Sequence, residues 1–229
     1  MNARLLAVAL ASASGARAAV VLPSGPAEAF KPIADKLHGT VIDVRGRTPV
    51  TTDGGQEALE TLTHGTGTLL GGGLAVTTLH AVALPSPEGK MLPLPNVEVL
   101  VPEKGAMQAQ VIAAVADLDL AILSLPAAGA ALDGAPLSSD AAAAGDPLMA
   151  MGVDDEAVIG VGTEVAAVSG DLILLRGRRM LDSRFWGGPL FDARGRLAGV
   201  GLTSFGPSKA ISARAIQRLV DQRMRAQMH

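Results

Sequence analysis

Cysteine is absent from the 229 residues, which removes disulfides, thiolate metal sites and cysteine nucleophiles together. Tyrosine is absent as well, and four Phe and one Trp make aromatics only 2% of the chain. Charge is sparse: 18% of residues carry it, and 19 basic against 22 acidic side chains leave a net charge of −3. Such a balance gives no electrostatic footprint for nucleic acid. No apolar run approaches the roughly 20 residues that cross a bilayer. The run Leu5–Ala11, preceded by Arg4 and followed by Ala16-Arg17-Ala18, reads instead as a signal peptide over residues 1–18. The alternative is the first turns of an alanine-rich helix. Residues 19–35 then form an N-terminal extension, and the product is expected in the periplasm or secreted. No lipobox cysteine is there to anchor it.

What the chain does have is glycine, proline and apolar side chains: 27 Gly, 14 Pro and 48% hydrophobic residues. A packed core crossed by many turns follows. His38–Val44, Thr66–Leu70, Leu74–Thr78, Val97–Val101, Gln108–Val115 and Leu118–Leu125 read as strands, with Gly71-Gly72-Gly73 as a hairpin turn. The stretch 126–145 is linker-like, although Ala141–Ala144 is open to a helical reading. Pro147–Met151, Val158–Val168, Asp171–Leu175 and Arg196–Thr203 continue the strands. Only the tail, 212–227, has helical spacing, with Ala213, Ile216, Leu219, Val220 and Met224 sharing a face. The class is all-β, a sandwich or a pair of barrels.

Three features could carry chemistry. His80 ends the apolar run Ala75–Val82, Asp119 opens the buried-looking run Asp119–Leu123, and Gly187-Gly188-Pro189-Leu190-Phe191 turns into a strand. Singly, each has an ordinary structural explanation, since a strand-end His is usually solvated and a strand-start Asp is often a turn cap. His38 and His64 lie in turn-rich polar surroundings and are expected to be exposed.

In order, these features resemble the trypsin-like serine peptidases, nearest to bacterial HtrA-type protease domains without a PDZ domain. Thr77-Thr78-Leu79-His80-Ala81-Val82 is similar to that family's histidine motif, and Asp119-Leu120-Ala121-Ile122-Leu123 to its aspartate motif. Gly65–Leu70, Gly145–Gly152 and Gly195–Val200 resemble the strands that flank them. The likeness runs over about 36–222. It implies two six-stranded antiparallel β-barrels, the first about 36–125 and the second about 146–212, with a C-terminal helix at 212–227.

The family's mechanism needs a serine that attacks, a histidine that takes its proton and an aspartate that orients the imidazole. The resemblance assigns the last two to His80 and Asp119. Asp117 is the rival, but only Asp119 directly precedes Leu-Ala-Ile-Leu. The nucleophile should be the third residue of a G-[ND]-S-G-G-P turn, which here reads Arg184-Phe185-Trp186-Gly187-Gly188-Pro189. Trp186 stands at the serine position, and an indole N–H is a donor with no lone pair to attack with. Arg184 replaces the glycine whose N–H helps to form the oxyanion hole, and Phe185 replaces a short polar residue. Loss of the serine alone costs on the order of 10⁶ in turnover. The retained Gly187, Gly188 and Pro189 answer a structural need of the turn.

The resemblance and its departures therefore imply an exported pseudopeptidase that binds a peptide or protein. Strand addition in the cleft is the expected mode, with Phe185, Trp186 and Thr203 available to it. Trp186 could equally plug the pocket. One alternative is an active endopeptidase with its nucleophile moved to Ser183, Thr203 or Ser204; another is a structural or assembly component. His80 and Asp119 read first as a buried hydrogen-bonded contact between sheets and second as a repurposed pair. No cofactor is implied, and a metal lacks a third ligand. HtrA-type proteins are often trimeric, which leaves an oligomer open, although Phe30 is the lone aromatic of the N-terminal stretch.

Overall fold

Apolar runs broken every few residues by glycine or proline close into barrels, because each strand buries one face inside its own barrel. The computed structural model describes residues 30–51, 57–155, 157–176, 181–202 and 207–227. The signal-peptide reading over 1–18, the extension up to residue 29, and Thr203 and Ser204 lie outside these. The first barrel holds β1 (Val41–Thr51), β2 (Glu57–Gly71) and β3 (Leu74–Thr77). A small hairpin follows, β4 (Ala83–Pro85) and β5 (Met91–Pro93), then β6 (Asn96–Val101), β7 (Gly105–Val115) and β8 (Leu120–Ser124). The barrel closes in the order β1-β2-β3-β8-β7-β6, every pair antiparallel.

The second barrel is built from β9 (Pro147–Asp154), β10 (Ala157–Ser169), β11 (Leu172–Arg176), β12 (Pro189–Asp192), β13 (Leu197–Gly201) and β14 (Lys209–Ser212). Its closed order is β10-β11-β14-β13-β12-β9, again antiparallel. Among the described residues three α-helices accompany the barrels: α1 (Lys31–Leu37), the single turn α2 (Ala127–Ala130) and α3 (Ala213–Gln227). This is the double six-stranded barrel with a C-terminal helix that the resemblance implies. No helix among the described residues is long and apolar enough to cross a membrane.

The seam between the barrels explains why some strands are apolar on both faces. Alternate side chains of a strand point to opposite sides. In β8, Ala121 and Leu123 fill the first barrel, whereas Leu120 and Ile122 face the seam. In β9, Leu148 and Ala150 fill the second barrel, and Met149, Met151 and Val153 meet the seam. Phe191, fully buried, packs there with Phe30 and Leu37 from the N-terminal side and Ile216 from α3. Each such side chain stabilises the fold by about 1.5–3 kcal/mol relative to exposure.

Several local expectations are corrected. His38–Thr40 is a 3-10 turn rather than the start of a strand, because Thr40 Oγ1 donates back to Leu37 O at 2.7 Å and prolongs α1. Ala141–Ala144 is not helical: the Asp146 carboxylate accepts the Ala143 N–H at 2.7 Å and makes a turn. Met224 does not share the buried face of α3, being 48% exposed, since the last turn runs past the core. His64 lies within β2 and not in a turn.

Candidate functional site

Strand pairing brings His80 and Asp119 together. β3 runs antiparallel to β8 with Thr77 opposite Ala121, so the chain leaving β3 faces the chain entering β8. A 3-10 turn, Leu79–Ala81, buries Leu79 and Ala81 in the first barrel and turns His80 outward, its side chain 56% exposed. Opposite, Asp119 ends the 3-10 turn Ala116–Leu118 with left-handed dihedrals, φ 47° and ψ 46°, a region Asp enters more readily than most residues. Asp119 O accepts the Leu79 N–H at 3.2 Å, and Asp119 Oδ1 accepts the His80 N–H at 3.1 Å. The same Oδ1 lies 2.6 Å from His80 Nδ1. With the proton on Nδ1, this bond orients the ring and leaves Nε2 as the acceptor. The pair is not the buried contact between sheets that sequence favoured, because His80 is open to solvent. Asp117 is exposed on the turn before it.

The glycine-rich turn reaches the same place from the second barrel. Asp182 caps a 3-10 turn over Ser183–Phe185. Its Oδ1 accepts the Arg184 N–H at 3.1 Å, while Phe185 N–H donates to Asp182 O at 3.0 Å and Trp186 N–H to Ser183 O at 3.3 Å. The segment then docks on β2. Thr66 N–H donates to Trp186 O at 2.9 Å, and Thr66 Oγ1 donates to Arg184 O at 2.6 Å. Thr66 Oγ1 also accepts the Val153 N–H at 3.1 Å, and Thr66 O accepts from Thr77 Oγ1 at 2.7 Å. Both threonines are buried. One side chain thus ties β2, β9 and the turn together, beside the strand that leads to His80.

Gly187 shows why the glycines stand where they do. Its φ is +83°, and a Cβ there would sit 2.0 Å from Thr66 O and 3.0 Å from Thr78 N. At Gly188 a Cβ would sit 2.1 Å from Met151 O. The backbone packs too closely at both positions for a methyl group, whatever the chemistry of the site.

The side chains of the turn go three ways. Trp186 is half-buried, and its Nε1–H donates back to Leu181 O at 3.3 Å, so the ring lies over its own segment. Arg184 is bracketed by two carboxylates: Nε and Nη2 donate to Asp182 at 2.9 and 2.7 Å, and Nη1 donates to Asp154 at 2.7 Å. The hydrogen bond from Arg184 lowers the Asp182 pKa, and the two carboxylates raise that of Arg184. Phe185 corrects the sequence reading. It is 7% exposed and belongs to the core of the second barrel, so the 3-10 turn points it inward, away from a ligand in the cleft. Ser183 is exposed.

Acyl transfer on this fold needs two backbone N–H groups, from the nucleophile's residue and from the residue two before it. The resemblance puts these at Trp186 and Arg184, and both N–H groups are donated within the turn. Among the described residues no three His, Asp or Glu side chains converge as a metal site. Two surface cavities of the second barrel, about 540 Å³ beside Phe30 and Ile33 and about 280 Å³ beside Asp140 and Arg196, are not lined by His80, Asp119 or Trp186.

One charged group escaped the sequence. His64 Nε2 lies 2.7 Å from Oδ1 of Asp43, a carboxylate only 3% exposed. Arg45 donates to Asp43 Oδ2 through Nε at 2.9 Å and Nη2 at 2.6 Å. Burial pushes the Asp43 carboxyl up, and the ion pair with His64 and the hydrogen bonds from Arg45 outweigh it and leave the pKa lowered. The bond to Asp43 raises that of His64. Asp43 is the cross-strand partner of Thr66, which places this cluster next to the docked turn.

No curated protein sequence matches the chain. Solved structures do. The Rv3671c protease in an inactive form superposes with a TM-score of 0.63 at 17% identity, covering 89% of this chain and 98% of that one. The serine-to-alanine mutant of Rv3671c from M. tuberculosis H37Rv, also an inactive form, gives 0.65 at 17% identity, covering 91% and 98%. At this identity the likeness speaks for the fold. The trypsin-like peptidase domain family matches residues 65–200, more than half of the chain, and the protein belongs to that family.

Proposed function

We propose that this protein is an exported pseudopeptidase: a trypsin-like fold without endopeptidase activity that acts by binding a peptide or protein at the seam between its barrels. One observation carries the reading: Trp186, its indole bonded back to Leu181 O, occupies the place that the resemblance gives to the nucleophilic serine. His80 oriented by Asp119 is a base with no hydroxyl at that place to activate. The N–H groups of Arg184 and Trp186 are spent inside the turn and offer nothing to a developing oxyanion. Phe185 serves the core, which leaves exposed His80 and half-buried Trp186 as the side chains that meet a ligand. An extended ligand would bind through backbone hydrogen bonds, a mode that needs no catalytic group.

The test is casein cleavage by the purified protein. Wild type is expected to cleave at the rate of the buffer blank, and a fluorophosphonate probe is expected to leave Ser183 and Ser204 unlabelled. Addition of unfolded peptide is expected to shift the Trp186 emission. Cleavage that disappears in His80→Ala overturns the reading in favour of a displaced nucleophile. An emission unmoved by peptide overturns the binding part and favours a scaffold.

A further inference from the structure

Several contacts besides Trp186 hold the Leu181–Gly188 segment closed. Asp182 Oδ1 receives two donors from one residue, the Nε–H and the backbone N–H of Arg184. The guanidinium's far side is held by Asp154, at the end of β9, across 30 positions of sequence. All three side chains are close to half exposed, so these pairs contribute little to global stability. Their effect is local. They fix a 3-10 turn in which the Arg184 N–H is capped by Asp182 and the Trp186 N–H by Ser183 O. Arg184 O and Trp186 O, meanwhile, are bound by Thr66, so the N–H and C=O groups of Arg184 and Trp186 are all bonded.

We propose that Asp154, Arg184 and Asp182 form a latch that keeps the anion-binding amides of the cleft closed, with Arg184 and Asp182 as its positioning residues. The inference rests on the pseudopeptidase reading and deepens it: the site is shut by conformation as well as by the missing hydroxyl. Opening the latch frees the N–H groups of Arg184 and Trp186, the chemistry that receives an anionic oxygen from an acyl or phosphonyl group.

Amide hydrogen exchange tests it directly. Asp182→Ala, which removes the acceptor of the Arg184 N–H, and Arg184→Gln are both exposed substitutions that leave the core intact. Each is expected to speed exchange of the Arg184 and Trp186 amides by about tenfold, the opening of one charge-assisted hydrogen bond. Arg196→Gln removes a guanidinium that bridges Asp140 and Asp192 elsewhere on the second barrel, and it is expected to change neither amide. Exchange equal to wild type in both latch variants overturns the proposal. A chemical readout separates it from the reading it rests on. Fluorophosphonate labelling of Trp186→Ser is expected at the blank rate, and labelling of Trp186→Ser with Arg184→Gly about tenfold faster. Equal labelling of the two above the blank rate overturns the latch and leaves the pseudopeptidase standing; if neither reacts, the exchange rates decide. A labelled wild type overturns the pseudopeptidase, and exchange still decides the latch.

Discussion

Gly187→Ala separates a glycine kept for packing from one kept for catalysis. Two costs are expected. A residue with a Cβ at φ +83° pays for a left-handed conformation, about 1–2 kcal/mol. The second cost is the clash: the new methyl would stand 2.0 Å from Thr66 O, and 3.0 Å is the shortest separation such atoms show. Relief takes a shift of about 1 Å in a close-packed seam. That shift breaks two of the bonds made there, such as Thr66 N–H to Trp186 O at 2.9 Å and Gly187 N–H to Gly201 O at 2.8 Å. At about 1 kcal/mol each, the total reaches roughly 3–4 kcal/mol. Gly72→Ala is the internal reference, with φ +60° and no atom within 4 Å of the new methyl. At roughly 3 °C per kcal/mol for a domain of this size, thermal unfolding by circular dichroism should fall about 3–6 °C for Gly72→Ala and about 9–12 °C for Gly187→Ala. Midpoints within about 3 °C of each other would refute the packing account. The glycine would then have to be explained by chemistry, and the active-peptidase alternative would regain ground.

Phe185→Ala should destabilise the protein by about 3–5 kcal/mol, because it empties a site in the second barrel's core. A urea midpoint that does not move, together with weakened peptide binding, would return Phe185 to the ligand. His64 makes stability depend on pH. The ion pair with Asp43 raises its pKa above the ordinary 6.5, so its contribution is complete below pH 6.5 and fades as pH climbs through the raised value. Asp43 is held below 3.8, so its contribution is present above pH 3.8 and is lost as acid passes through the lowered value. The deficit of His64→Gln against wild type should be about 0.5–1 kcal/mol at pH 5, small because His64 is half exposed, and near zero at pH 9. Urea unfolding at the two pH values measures it, and a deficit that grows with pH contradicts the pairing.

The fold was legible because its signals are short and local: the histidine motif before Val82, Asp119 before Leu-Ala-Ile-Leu, and the Gly-Gly-Pro that starts β12. Burial on both faces of β8 and β9 reinforced them by giving near-continuous apolar runs. The first half of β2 gave no such signal. Its tip meets solvent on both faces, with Leu59 and Leu62 each 43% exposed, so the period of two that marks a half-buried strand is missing. His64 was misplaced for that reason, and its pairing with Asp43 needs the β1–β2 register, which no local motif supplies. Phe185 failed differently. It neighbours Trp186 in sequence, but an Asp182-capped 3-10 turn sends the two rings to opposite sides. A side chain's direction on such a turn depends on the cap, and the only sequence hint was Asp182 two residues before Arg184.

Fold and chemistry make separable demands on this turn. Docking uses the backbone carbonyls of Arg184 and Trp186 and the empty space at Gly187 and Gly188. None of these depends on which side chain stands at 184, 185 or 186. Catalysis depends on just those side chains, a hydroxyl at one position and no side chain at another. Substitution there leaves the seam intact, and each residue present adds to the closed turn: Arg184 through Asp182 and Asp154, Phe185 through burial, Trp186 through Leu181 O. Asp119 likewise has work apart from the imidazole, because its carbonyl and carboxylate cap the N–H groups of Leu79 and His80. A histidine–aspartate pair can therefore persist in this fold for reasons of turn geometry alone. Three mutually consistent closing contacts describe a turn stabilised as structure, which is why replacing Trp186 by serine is not expected to be sufficient to open the site.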